Sequence, residues 1–477
     1  MLLNPQRTSR LEIADAKPGR RSRPVAYNTQ IGPAPDIVAS VRKGSLHDPR
    51  NSLVPSGREI LKGGRVIDPV NEIDAQMDVS IASGLISEVA DDIRPERGDK
   101  VYDVRGLQVW PGLIDMHLHL GDLFEISSAP IFESVADGVT VALSPGASNT
   151  FMSPALLGAE VDRGVPLNIG VYLGGPNVLG SRLSIDEIVS LFEGELQEEV
   201  AYEKMTRNPI TFATAPLTVG LKDHMGHSIG SDELLDALFE ITSRSGLIFM
   251  SHAQDPEHSE RLVELSRGRP LHLTHCTAAG AGTHGDPVES MQRFIEMFRL
   301  PNVSGDLMTA HLRPSLGNRE GILINKDAQR IAYEALADGT VRVLISDGQC
   351  DATMKGFGDT RDNVPAILEL AEQEVLALPQ SVATMTSNVA VLISQVTHQE
   401  WWTRELGHLG EGARANVTVV DPLDKRPTFT FVNGIMAAME NRPVRSANGA
   451  GGWVTKYGIL DRTGVGDFSA FAYGGDS

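Results

Sequence analysis

The chain has 477 residues, 41% of them hydrophobic and 22% charged, enough to bury a full core as one large domain with an appendage. Its net charge of −20 argues against nucleic acid or an anionic membrane as partner, because both are polyanions that need a basic footprint. No apolar run reaches the ~20 residues that span a bilayer, and two cysteines, Cys276 and Cys350, cannot build a disulfide framework and fit a reducing cytoplasm.

Charge is uneven along the chain. Residues 1–57 hold nine Lys or Arg against four acids, a net +5 that leaves about −25 on the remainder. This stretch is rich in Pro, Ser and Asn and has no apolar periodicity, so it is expected to be a basic arm, fit to lie on a neighbouring subunit of a homo-oligomer, a dimer or tetramer. Arg20, Arg21 and Arg23 are not followed by an apolar segment, and an export signal is not expected. From Arg58 the pattern changes to short alternating runs, Glu59 to Ile67 and Met77 to Val89, broken by glycine turns. A matching pair, Ala415 to Asp421 and Thr428 to Gly434, lies near the far end, where Asn433-Gly434 signals a tight hairpin.

Between these clusters, strand-like and helix-like segments alternate, which predicts a parallel βα architecture. Eight strands are expected, at 108–116, 139–144, 167–173, 210–221, 247–251, 271–274, 302–307 and 341–346. The intervening helices carry start signals, a Ser184/Glu187 capping box and Ser231-Asp232 ahead of Glu233 to Arg244. Eight such units make an α/β fold of the TIM-barrel type, (β/α)8, whose active site lies at the C-terminal ends of the strands. The domains expected are the arm 1–57, a first β-sandwich part 58–108, the barrel 109–405, a second sandwich part 406–445 and a tail 446–477.

The chemistry is concentrated at those strand ends. Pro111 to Leu120 runs apolar into His117-Leu118-His119, and residues two apart on a strand share a face, so both imidazoles can serve one metal. Two further apolar segments end in His252 and His275, and Val341 to Ser346 ends in Asp347. His272, His227 and His311 are less decided. His272 is expected to pack outside the bore, while His227 and His311, just past strand ends, are candidates for substrate contact; Arg313, after strand seven, could hold a substrate carboxylate.

The stretch PGLIDMHLHL resembles the first barrel strand of the amidohydrolase superfamily, and His252, His275 and Asp347 match in type and order its fifth-strand His, sixth-strand His and eighth-strand Asp. The two flanking strand clusters resemble the composite β-sandwich of hydantoinases and dihydroorotases. That resemblance implies a bridging ligand on strand four, a lysine carbamylated on its amine, and Lys222 is the candidate; Gly220-Leu221-Lys222 with Asp223 to Ser228 is similar to the isoaspartyl dipeptidase branch. It implies two divalent ions, most simply zinc, with a bridging hydroxide as nucleophile and Asp347 as proton shuttle. Hydrolysis of an amide-type C–N bond in a cyclic amide or N-acyl small molecule follows. The alternatives are a mononuclear aminohydrolase (deaminase) of the same superfamily and a non-catalytic assembly protein related to dihydropyrimidinases. Two family features are missing: Leu120-Gly121-Asp122 stands where dihydroorotases carry an arginine, and Cys276 to Gly282 follows His275 without the dipeptidase arginine.

Overall fold

The computed structural model describes residues 57–120, 129–146, 149–206, 208–223, 230–314, 316–317, 321–349, 358–446 and 449–461. The basic arm, His224, His227 and Cys350 lie outside them.

Eight parallel strands form the barrel: Leu113–Asp115, Val139–Ser144, Asn168–Gly174, Gly220–Asp223, Ile248–His252, Leu271–Thr274, Val303–Met308 and Val343–Ile345. Alternation sorts their side chains into two cores. Leu221, Phe249, Leu271, Leu273 and Leu344 point outward and pack with the surrounding helices. Ile114, Val141, Leu143, Tyr172, Ile248, Met250, Met308, Val343 and Ile345 share an inner cluster with Val389, Ile393, Trp401 and Trp402 from the helices Ser387–Thr397 and Trp401–Glu405. Gly220 is small because Tyr172 fills the bore beside it; a Cβ there would sit 2.6 Å from the tyrosine ring and 2.5 Å from the Ile248 carbonyl oxygen.

The seam between strands one and eight is closed in two halves. At the base, Thr384 and Met385 enter the gap, and their carbonyls accept the amides of Leu344 (3.1 Å) and Ile114 (2.7 Å). At the top the strands meet directly, Asp347 N donating to His117 O (3.0 Å) and His119 N to Gly348 O (3.2 Å). The buried Asp115 carboxylate spans the join, accepting from the amides of His117 (3.2 Å) and Ser346 (3.3 Å). Burial pushes its carboxyl up to about 7, against the pull of the Ser346 and His117 donors.

The expected first strand, 108–116, is two strands. Gln108–Pro111 runs parallel to Glu59–Asp68 and antiparallel to Val417–Asp421, joining the two chain ends into one nine-stranded sheet with its own core of Leu61, Val66, Val79, Val109, Val419 and Phe431. Only Leu113–Asp115 belongs to the barrel, and the break falls at Gly112, where a Cβ would strike Thr140 (2.4 Å from Oγ1). The expected fourth strand, 210–221, is mostly helical. Asn208 caps the Ile210 amide at 3.0 Å, Pro209 opens the helix Pro209–Thr214, and a short 3₁₀ turn precedes Gly220–Asp223. Other local signals are realised as read. Ser184 and Glu187 form the reciprocal capping box, and Asn433 and Gly434, both at positive φ, make the two-residue turn between Arg426–Val432 and Ile435–Met439.

Part of the expected tail is structural. Trp453–Thr455 and Gly458–Leu460 form a hairpin that pairs with barrel strand three at Ile169, with the buried Trp453 indole donating to Leu217 O at 2.8 Å. Trp453→Ala is therefore expected to destabilise the protein by about 3–5 kcal/mol, read as a lowered denaturant midpoint. A change below about 0.5 kcal/mol would show that the hairpin is not part of the cooperative core.

Candidate metal centre

The period of two that builds the inner core also raises the site above it. On strand five, Ile248 and Met250 are followed on the same face by His252; on strand four, Gly220 is followed by Lys222; past strand eight, Val343 and Ile345 are followed by Asp347. Each polar group thus tops an apolar column. His117, His119, Lys222, His252, His275 and Asp347 are all buried.

The six converge. Nε2 of His117 and Nε2 of His119 both lie 3.2 Å from Oδ1 of Asp347, and candidate ligand atoms of these three residues fall within 4.8 Å of one another. Nδ1 of His252 meets Nε2 of His275, and the ring of His117 stands 5.3 Å from that of His275 and 6.4 Å from that of His252. Lys222 is paired in register with Met250 on strand five and Gly174 on strand three, and its charge acts on both His117 and His275.

The convergent side chains are positioned by groups behind them. Thr274 Oγ1 sits 2.6 Å from His117 Nδ1, which leaves Nε2 for Asp347. Asp306 Oδ1 accepts the His275 amide at 2.5 Å while its Oδ2 takes His272 Nε2 at 2.8 Å. His275 and Asp347 both adopt left-handed backbone, at φ 52° and 50°, an uncommon conformation for side chains with a Cβ and one that clusters at functional sites.

Electrostatics favour ligation. Burial, with Lys222 adding to it, lowers His117 to about 3, and burial lowers His275 to about 3, so both imidazoles are neutral at physiological pH. Burial works to raise the Asp347 carboxyl, yet the facing His117 and His119 hold it well below the usual carboxylate range. Neutral imidazoles around an ionised carboxylate, dry and convergent, are a donor set that could hold a divalent metal ion. Among the described residues Asp347 Oδ2 has no hydrogen-bond partner.

Three sequence expectations turn out differently. His272 faces the bore, because Leu271 and Leu273 take the outward positions, and it pairs there with Asp306 and with Ser304 Oγ at 2.9 Å. Arg313 is committed elsewhere, to Asp362 at 2.6 Å and Glu369 at 3.1 Å, which leaves its charge matched within the protein. His117 and His119 lie just past the three-residue strand, held by the Leu118–Gly348 bridge rather than by regular pairing. His311 is buried on the short helix Thr309–Leu312 that follows strand seven. Asp306 and Thr274 were missed; alternation of Thr274 with His272 and of Asp306 with Met308 was the signal available for them.

The chain resembles known proteins over most of its length. It is 24% identical over 415 residues to a dihydroorotase of Geobacter metallireducens, covering 76% of this chain and 89% of the relative. Among solved structures, the dihydropyrimidinase of Brevibacillus agri superposes with a TM-score of 0.61 at 17% identity, covering 83% of this chain and 98% of the other. An L-hydantoinase (dihydropyrimidinase) of Arthrobacter aurescens gives 0.61 at 16% identity, with 83% and 99% covered. The amidohydrolase family pattern matches residues 109–438, which is more than half of the sequence and spans every convergent residue above, and the chain belongs to the amidohydrolase family.

Proposed function

We propose that the protein hydrolyses an amide-type C–N bond in a cyclic amide or N-acyl small molecule, using two divalent ions, zinc in the first instance. The observation that carries this reading is the convergence of His117 and His119 on one oxygen of Asp347, beside the facing pair His252 and His275. His117, His119 and Asp347 would hold one ion, His252 and His275 the other, and Lys222, carbamylated on its amine, would bridge them. Complete burial of Lys222 beside the four histidines and Asp347 supports that form over a free ammonium, which is costly to take out of water. Bound there, the ions would lower the pKa of water toward neutrality and polarise the scissile carbonyl.

The remaining work falls to the chain. Asp347 Oδ2 would accept the proton of the attacking water and deliver it to the departing nitrogen, so that the C–N bond breaks as C–O forms and no charge is left on the amine. The apolar column beneath keeps bulk water from the bore and strengthens each interaction above it. The likeness to dihydroorotases, dihydropyrimidinases and hydantoinases supports a cyclic amide as substrate class. A mononuclear aminohydrolase is the second reading, since His117, His119 and Asp347 form a compact three-ligand set by themselves. The −20 charge supports the absence of nucleic-acid or anionic-membrane partners, two cysteines fit a cytoplasmic protein, and the basic stretch 1–57, opposite in sign to the rest of the chain, supports a homo-oligomer with that stretch as its assembly arm. Among the described residues no helix is long and apolar enough to cross a membrane.

Two variants test the proposal. Lys222→Ala is expected to retain the first ion and lose most of the second, measured as metal per chain after dialysis, with short carboxylic acids restoring part of it; full double occupancy would remove the bridge. In Asp347→Asn the fold should persist while hydrolysis of hydantoins, dihydropyrimidines or N-acyl amino acids falls by at least about a hundredfold to ten-thousandfold. Wild-type rates there would rule out its role as proton shuttle.

A further inference from the structure

His311 is a buried polar side chain that the fold leaves without a partner. It is 1% exposed, and neither ring nitrogen has a hydrogen-bond partner among the described residues. Its backbone, by contrast, is fixed: the His311 carbonyl accepts Gln329 Nε2 at 2.8 Å, Thr309 Oγ1 donates to Asn363 Oδ1 at 3.0 Å, and the Leu312 carbonyl takes the Tyr333 hydroxyl. The residue sits at the C-terminal end of strand seven, within electrostatic reach of the Asp347 carboxylate. Burying both polar atoms of an imidazole without satisfying either is costly, and such groups in native proteins call for an explanation. The end of strand seven is where a barrel of this type carries its site, so a bound molecule there is the partner available to an unsatisfied ring whose backbone is already fixed.

We propose that His311 is a specificity residue that hydrogen-bonds the amide edge of the bound substrate, on the part of the molecule that is not cleaved. This rests on the reading of the protein as a cyclic amidohydrolase. A neutral imidazole offers one N–H donor and one acceptor nitrogen, and the edge of a cyclic ureide offers a carbonyl acceptor and an N–H donor, so either tautomer finds a match. A purely hydrocarbon ring edge would leave both nitrogens unsatisfied and be disfavoured.

The test uses initial rates of the full-length, zinc-loaded protein on dihydrouracil and hydantoin, with metal content measured alongside. His311→Phe keeps the volume and removes both polar atoms; KM is expected to rise about ten- to a hundredfold, with kcat and bound metal little changed. His311→Gln keeps a donor and an acceptor and should recover part of the loss, which also shows that the site tolerates replacement. An unchanged KM in His311→Phe overturns the role while leaving the amidohydrolase activity standing. Loss of metal, or a fall in kcat at constant KM, overturns it by placing His311 in the metal centre or the chemical step. Failure of the wild-type protein to turn over either compound overturns the cyclic-amide reading, and the inference with it.

Discussion

The closing of the barrel between strands one and eight is the constraint on which the rest of the structure depends. A sheet edge left open inside a protein exposes amides and carbonyls that must be paired. Here the lower half of the edge is satisfied by Thr384 and Met385, while the upper half is satisfied by the backbone of His117, His119, Asp347 and Gly348 themselves. The residues that close the barrel are the residues whose side chains gather at Asp347. Closing the seam therefore also places His117, His119 and Asp347, and Asp115 ties the two strands by accepting amides from both.

Below this join much of the bore is apolar, with the polar trio His272, Ser304 and Asp306 set into it, and near the top of the strands the convergent polar side chains gather. The change occurs within two residues on strands four, five and eight, so Lys222, His252 and Asp347 stand on Met250, Ile345 and their neighbours and are surrounded by low-dielectric packing. That placement keeps imidazoles neutral and supports a compact set of charges without solvent to screen it. Left-handed backbone at His275 and Asp347 is sustained by the surrounding hydrogen bonds, the Asp306 carboxylate on the His275 amide and the His117 carbonyl on the Asp347 amide.

Much of this was legible in the sequence because it depends on local pattern. An apolar run ending in histidine, lysine or aspartate is visible without a structure, and the order of those endings was enough to bring six residues together. The capping box at Ser184 and the Asn433-Gly434 turn depend on neighbours a few residues apart and were equally readable. What could not be read depends on partners far along the chain. At the break between the first two strands Thr140 leaves no room for a Cβ at Gly112, and Arg313 is taken by Asp362 and Glu369, about fifty residues on. The segment 210–221 was misread for a different reason: its β-prone Ile, Thr and Phe outweighed the Asn208-Pro209 helix start that governs it.

The most direct test is to locate the ions by anomalous diffraction from crystals of zinc-loaded protein. Two peaks per chain are expected, one within coordination distance of His117, His119 and Asp347 and the other of His252 and His275, with continuous density from Lys222 reaching both. A chain that folds as described and shows no ion at these residues after loading would contradict the metal centre at its root.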